Sequence, residues 1–169
     1  MSTATGWAAR AKTRPCKGGE RVTRGGGQGI VAMKKGYKAL VDEAMAEVVT
    51  LTAAQAIKRR GDGNYVLVDI RDPRELDREG MVPGAFHAPR GMLEFWIDPE
   101  SPYHKPLFAQ EKTFVFFCAG GMRSALATKT AQDMGLARVA HVGGGFKAWR
   151  EAGGPVAQRA PPVPEVAAP

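Results

Sequence analysis

The sequence predicts a three-layer α/β domain in which a mainly parallel central sheet of about five strands is flanked by helices. Two near-continuous apolar runs, Tyr65–Ile70 and Thr113–Phe117, are typical of strands buried on both faces of a parallel sheet. Strand-like and helix-like segments alternate along the chain. Since ligands bind beyond the carboxyl ends of the strands in such sheets, the residues after each apolar run are candidate site residues.

The first elements follow from apolar spacing and from one capping signal. Helical spacing predicts a helix over Tyr37–Glu47, within an N-terminal helical arm over residues 36–48. Val48–Leu51 is predicted as a short strand. Thr52 and Gln55 have the spacing of a capping box, so a helix should follow and end near Arg60.

The middle of the chain carries the second and third predicted strands. The run over residues 65–70 ends in charge at Asp69 and Arg71, and Pro73–Glu79 is predicted as a short helix. A glycine turn then leads to a brief strand at Ala85–His87. Residues 89–97 are predicted to be helical, and the proline-containing residues 98–105 to form a surface loop.

Two alternative roles are open for several side chains of this middle region. Residues 92–105 carry the aromatic side chains Phe95, Trp96 and Tyr103, which either roof the site and select an acceptor or form a satellite core. His87 and Arg90 either face the pocket or are surface and packing residues.

The last elements repeat the strand, turn and helix order. The run Thr113–Phe117 is followed by a predicted helix over Ser124–Met134, which Gly135 ends. Arg138–Val142 is the next predicted strand. A glycine turn at residues 143–145 then leads to a last helix over Phe146–Ala152, with Phe146 and Trp149 expected as core anchors.

Composition bounds the domain organisation. A chain of 169 residues with 44% hydrophobic residues can bury one core. We expect one domain over residues 33–156, a disordered basic extension over residues 1–32 and a Pro/Ala-rich disordered tail over residues 157–169. For residues 1–32, a targeting role and a physiological start at Met33 are the alternatives. The net charge is +7, but the first thirty residues carry +5 of it, so a basic nucleic-acid groove is not indicated.

Cysteine usage and hydropathy indicate the compartment. Cys16 and Cys118 are too few for a disulfide framework and lack the clustered spacing of a metal site. We therefore expect a reducing compartment, the cytoplasm, with no metal and no cofactor. No apolar run approaches the ~18 residues that a membrane span needs, so no membrane association is expected.

Cys118 is the candidate nucleophile. It ends a buried strand and precedes a glycine-containing turn and a helix, which would surround its sulfur with backbone N–H groups, favour a thiolate and hold an anion. The alternative is a small inert core thiol. Positive φ values are expected at Gly120 and Gly121. The residues expected to bind the anion are Ala119, Gly120, Gly121, Met122 and Arg123.

Four segments in this order and spacing resemble the rhodanese family: Asp69–Arg71, Gly80–Ala85, Cys118–Arg123 and Val142–Trp149. The match runs from about Leu51 to Pro155. It implies a single-domain sulfurtransferase. In that family the cysteine thiolate attacks the outer sulfur of a small anionic donor such as thiosulfate and passes a persulfide sulfur to a thiol, a protein thiol or cyanide.

The resemblance also carries specific expectations and one departure. It implies that Asp69 and Arg71 support the active loop through hydrogen bonds. Arg123 either attracts the anionic donor or forms a structural ion pair, with Asp69 as the expected partner. Met81 stands where the family usually has histidine. None of the three histidines is adjacent to Cys118, which favours an N–H-stabilised thiolate over a separate general base.

Loop length separates the remaining activities. Four residues lie between Cys118 and Arg123, as in sulfurtransferases of this fold, whereas the related dual-specificity phosphatases have five. The shorter loop disfavours a phosphatase or an arsenate reductase. The other alternative is a non-catalytic binding or regulatory module, which retention of Cys118 and Arg123 disfavours.

Overall fold

A computed structural model describes residues 33–159. The expectations for residues 1–32 and 160–169 lie outside the described residues. The five strands are β1 Val49–Leu51, β2 Tyr65–Asp69, β3 Phe86–His87, β4 Thr113–Phe117 and β5 Val139–Val142. The six α-helices are α1 Tyr37–Glu47, α2 Ala53–Arg59, α3 Pro73–Glu79, α4 Leu93–Ile97, α5 Met122–Asp133 and α6 Gly145–Glu151.

The strands form one five-stranded sheet in the order β1-β5-β4-β2-β3, and every neighbouring pair is parallel. The predicted three-layer α/β fold is therefore confirmed. Because all strands run in the same direction, the residues that follow β2, β4 and β5 meet at one edge of the sheet. Cys118 follows β4 at that edge.

Local sequence signals explain where two helices begin. The Thr52 hydroxyl accepts the N–H of Gln55, and the Gln55 side chain accepts the N–H of Thr52, so the predicted capping box is formed at α2. Asp72 and Glu75 form a second capping box at α3, where Pro73 occupies the first helical position. These reciprocal bonds satisfy N–H groups that a helix leaves without partners.

The sheet has a hydrophobic core on each face. One core joins the β4 residues Phe114 and Phe116 to α4 and α5, and the other joins Val115 and Phe117 to α2 and α6. This alternation follows from the two-residue period of a strand. Phe146 and Trp149 are both 1% exposed, so their expected role as core anchors is confirmed.

Two helix predictions are wrong by more than a one-residue shift in a boundary. α5 begins at Met122, two residues before the predicted start, because Gly121 turns the chain in a left-handed conformation at its N-cap. Residues 90–97 form a 3-10 turn followed by α4 rather than one helix. Next to the predicted domain end at residue 156, the backbones of Met81 and Ala157 exchange two hydrogen bonds, of 2.8 and 2.9 Å.

Candidate active site

Cys118 lies on the turn between β4 and α5, and the residue is 1% exposed. The backbone N–H of Gly121 donates a hydrogen bond of 3.1 Å to its Sγ atom. Gly121 has a φ of +96°, whereas Gly120 has no positive φ, so the expected left-handed backbone is confirmed only at Gly121. The N–H groups in the first turn of α5 have no acceptor within the helix. They are therefore available as hydrogen-bond donors at the loop, in which Gly120 and Met122 are exposed.

Ser124 and His141 extend the polar contacts of the sulfur. The Cys118 thiol lies 3.6 Å from the Ser124 hydroxyl, and that hydroxyl lies 3.4 Å from Nδ1 of His141. Nε2 of His141 lies 2.9 Å from the hydroxyl of Thr50 in β1. Ser124 and His141 are fully buried, and burial lowers the pKa of His141 below its usual value.

The N-terminus of α6 holds the outer side of the loop. The N–H groups of Phe146 and Lys147 donate hydrogen bonds of 2.7 and 3.0 Å to the carbonyl oxygens of Cys118 and Ala119. Gly145 begins α6 with a φ of +57°, and a Cβ atom at this position would lie 2.2 Å from the Cys118 carbonyl oxygen. Only glycine therefore allows α6 to approach the loop this closely.

Asp69 and Arg71 form a buried ion pair behind the loop. Nη2 of Arg71 donates bonds of 2.7 Å to Asp69 and 2.9 Å to the carbonyl oxygen of Gly80. The guanidinium also lies 3.8 Å from the centre of the Phe146 ring. The two residues thus reach the loop through Phe146, whose N–H holds Cys118, rather than through the direct hydrogen bonds expected for them.

Arg123 forms an ion pair with Glu75 of α3, not with the expected partner Asp69. Two hydrogen bonds, of 2.8 and 2.7 Å, join the guanidinium to the carboxylate. The hydrogen bonds from Arg123 lower the pKa of Glu75 to about 2, and those to Glu75 raise the pKa of Arg123. Asp69 is unavailable because Arg71 already occupies its carboxylate.

A cavity of about 710 Å³ opens beside the loop. The loop contributes Ala119 and Gly120, and α6 contributes Phe146 and the cationic side chains Lys147 and Arg150. Two acidic residues complete the lining, Glu79 and Glu151. The cavity thus carries charged side chains of both signs next to the loop that holds Cys118.

Of the aromatic residues after β3, Trp96 packs against the core, Phe95 and Tyr103 are exposed, and none of the three lines this cavity. The rings of Trp96 and Phe86 lie 5.9 Å apart, and Lys105 covers Trp96. This arrangement favours the satellite core for Trp96. Arg90 pairs with Glu94, which favours a surface role for it.

His87 lies behind the site, because its Nε2 atom contacts the Arg71 carbonyl oxygen at 2.8 Å. Within residues 33–159, no cluster of three or more His, Cys, Asp or Glu side chains has the arrangement of a metal site. Over the same residues, no helix has both the length and the hydropathy of a membrane span.

Sequence reasoning missed Glu75, Ser124 and His141. The position of Glu75 in a capping box was a visible signal, but its pairing with Arg123 depends on how α3 and α5 pack. His141 could have been assigned from strand parity, since Phe116 and His141 are in register and Cys118 lies two residues after Phe116. That inference needed β4 and β5 to be identified as neighbours.

Comparison with known proteins identifies relatives of the whole domain. The family model described as a rhodanese-like domain matches residues 52–152. YtwF of Bacillus subtilis, a protein with a provisional sulfurtransferase name, is 34% identical over 98 residues, which are 58% of this chain and 85% of YtwF.

Two solved structures resemble this domain. The first is a Rhodopseudomonas palustris protein of unknown function, RPA3614, described as a possible tyrosine phosphatase. It is 58% identical with a TM-score of 0.75, over 77% of this chain and all of that one. The second is the homodimeric polysulfide-sulfur transferase of Wolinella succinogenes. It is 33% identical with a TM-score of 0.56, over 73% of this chain and 88% of that one.

Proposed function

Because the chain belongs to the rhodanese-like domain family, we propose that it is a sulfurtransferase in which Cys118 carries the transferred sulfur as a persulfide. Thiosulfate or a similar small anionic compound is the proposed donor, and a thiol or cyanide is the proposed acceptor. The observation that carries this proposal is the position of Sγ. It accepts the Gly121 N–H at 3.1 Å at the start of α5.

The proposed reaction has two displacements at sulfur. The Cys118 thiolate attacks the outer sulfur of thiosulfate, a new S–S bond forms, and the S–S bond of thiosulfate breaks as sulfite leaves with the electron pair. The acceptor thiolate or cyanide then attacks the outer sulfur of the persulfide. Cys118 leaves as the thiolate. The cycle therefore closes without an added oxidant or reductant.

The loop supplies the stabilisation that this reaction needs. Persulfide and thiolate are both anions, and backbone N–H groups at a helix N-terminus favour anions. We assign anion binding to the loop residues, namely Ala119, Gly120, Gly121, Met122 and Arg123. Arg123 contributes positive charge that Glu75 already balances, so the N–H groups are the main donors.

Asp69 and Arg71 have a supporting role in this proposal. Arg71 packs on Phe146, and the Phe146 N–H donates to the Cys118 carbonyl oxygen and so holds the loop. Polysulfide joins thiosulfate as a proposed donor, because the Wolinella succinogenes relative is named for it. Cysteine usage supports a reducing compartment, and we propose the cytoplasm.

A phosphatase is the second candidate, because the relative at 58% identity is described as a possible tyrosine phosphatase. Two features of this chain count against that activity. The loop has only four residues between Cys118 and Arg123. Glu75 holds the Nη1 and Nη2 edge of the Arg123 guanidinium and balances its charge, which weakens its attraction for a phosphate dianion. Arsenate reductase chemistry meets the same two objections.

One pair of assays separates these candidates. Purified wild-type protein and Cys118→Ser are given thiosulfate or polysulfide with cyanide, and thiocyanate is measured; both are also given an aryl phosphate. We expect thiocyanate from the wild type alone and no phosphate release. Phosphate release that requires Cys118, without thiocyanate, would establish the phosphatase instead. Neither product would favour a non-catalytic module.

A further inference from the structure

A buried histidine is connected to the sulfur of Cys118 through hydroxyl groups. Thr50 in β1 and Phe116 in β4 are both in register with His141 in β5. Side chains in register point to the same face of a sheet, and Cys118 lies two residues after Phe116. The strand order therefore places the imidazole on the face that holds the thiol.

The direction of the hydrogen bonds follows from the number of protons available. Ser124 has one hydroxyl proton, which it donates to the Gly121 carbonyl oxygen at 3.0 Å. Its oxygen accepts the Cys118 thiol at 3.6 Å. Nδ1 of His141, 3.4 Å away, can bond to this oxygen only as a donor. Nε2 is then an acceptor for the Thr50 hydroxyl at 2.9 Å.

The imidazole of His141 is neutral. His141 is fully buried, its hydrogen-bond partners are the hydroxyl groups of Thr50 and Ser124, and burial lowers its pKa. A neutral imidazole carries one proton, and the hydrogen-bond pattern locates that proton on Nδ1. It therefore acts here as a donor of fixed direction, not as a general base.

We propose that Thr50, His141 and Ser124 form a directed chain of hydrogen bonds that ends on Sγ of Cys118 and stabilises its anionic forms. When the thiol S–H bond breaks, the proton passes to solvent and the Ser124 O–H turns from Gly121 to the thiolate. Nδ1–H of His141 continues to donate to Ser124. Ser124 contacts the reacting sulfur directly, and His141 is a positioning residue that acts through Ser124; their effect on sulfur transfer rests on the proposed function.

Charged groups also lie on the elements around the active loop. They are the Arg123–Glu75 pair between α5 and α3, the Asp69–Arg71 pair at β2, and Lys147 and Arg150 on α6. None of them contacts His141 or Ser124 through a hydrogen bond within residues 33–159. A substitution at Thr50, His141 or Ser124 therefore leaves these charges in place.

The first test measures the pH midpoint of Cys118 alkylation by iodoacetamide, which requires no sulfur transfer. We expect Ser124→Ala to raise the midpoint by about one pH unit, because a hydrogen bond to an anion is lost. His141→Leu should raise it by about half a unit. Thr128→Val is the matched control: Thr128 is a buried hydroxyl on the same helix, bonded to the Ala140 carbonyl oxygen. An unchanged midpoint in Ser124→Ala, or an equal shift in Thr128→Val, would overturn the proposal.

The second test needs no substitution. Nitrogen NMR of ¹⁵N-histidine-labelled wild type at neutral pH reports which ring nitrogen carries the proton. We expect the neutral Nδ1–H tautomer for His141. The Nε2–H tautomer would contradict the proposed direction of the hydrogen bonds. Both readouts are independent of persulfide formation. If both readouts give the expected results while no sulfur is transferred, the proposed function fails and the proposed hydrogen-bond chain stands.

Discussion

Gly145→Ala tests how α6 holds the active loop. The substitution introduces a Cβ at a φ of +57° and at 2.2 Å from the Cys118 carbonyl oxygen, where real Cβ contacts are essentially never shorter than 3.0 Å. The left-handed conformation costs about 1 kcal/mol in alanine. The overlap must also separate α6 from the loop, which weakens two hydrogen bonds worth about 1 kcal/mol each. We therefore expect the free energy of unfolding to fall by about 3 kcal/mol.

The same separation should reduce activity. A displacement of roughly 1 Å in a catalytic group costs about 10²-fold in rate, so thiocyanate production by Gly145→Ala should fall by about that factor. Urea unfolding and initial rates measure the two effects.

Gly153→Ala is the matched control for Gly145→Ala. Gly153 follows the same helix, has a φ of +73° and has open space at its Cβ position. It should lose about 1 kcal/mol and keep full activity. Equal stability and equal activity in the two variants would refute the steric explanation.

Three further substitutions test individual ionisable groups. Glu75→Gln should lose about 1 kcal/mol at pH 7, a value reduced for the exposure of Arg123. Because the pKa of Glu75 is lowered to about 2, the wild-type advantage is complete above about pH 4.5 and falls as the pH approaches 2; an advantage unchanged at pH 2 in urea unfolding would contradict the pair. Arg71→Met should lose about 3–5 kcal/mol, since the buried Asp69 carboxylate is left unpaired, and a loss below 1 kcal/mol would show that the carboxylate finds another partner. His141 has a lowered pKa, so wild-type stability should fall as the pH drops below 6.5; His141→Asn should reduce this fall, and equal slopes in thermal unfolding would exclude His141 as its source.

Local patterns predicted most of the fold. The bounds of α1 and α3 agree with the predicted ones, and the apolar runs locate β2 and β4 to within one residue. These elements have strong signals, namely apolar periodicity and doubly buried strands. The start of α5 was wrong by two residues because its N-cap, Gly121, has no side chain to act as a signal.

The site was less accessible from the sequence. The loop residues follow from their position after β4, but the partner of Arg123 depends on packing between two helices. Asp69 was the expected partner of Arg123. In the structure, the Asp69 carboxylate is already paired with Arg71. His141 lies 23 residues after Cys118 in the sequence. The two residues are close in space only because β4 and β5 are adjacent strands.

Intact mass spectrometry after exposure to a sulfur donor tests the central claim most directly. Wild-type protein and Cys118→Ser are incubated with thiosulfate, polysulfide or mercaptopyruvate, desalted and weighed, and the modified residue is located by peptide mapping. We expect the wild type to gain the mass of one sulfur atom on Cys118, to lose it on addition of cyanide, and Cys118→Ser to gain nothing. A wild type that gains no sulfur from any of the three donors would contradict a Cys118 persulfide carrier.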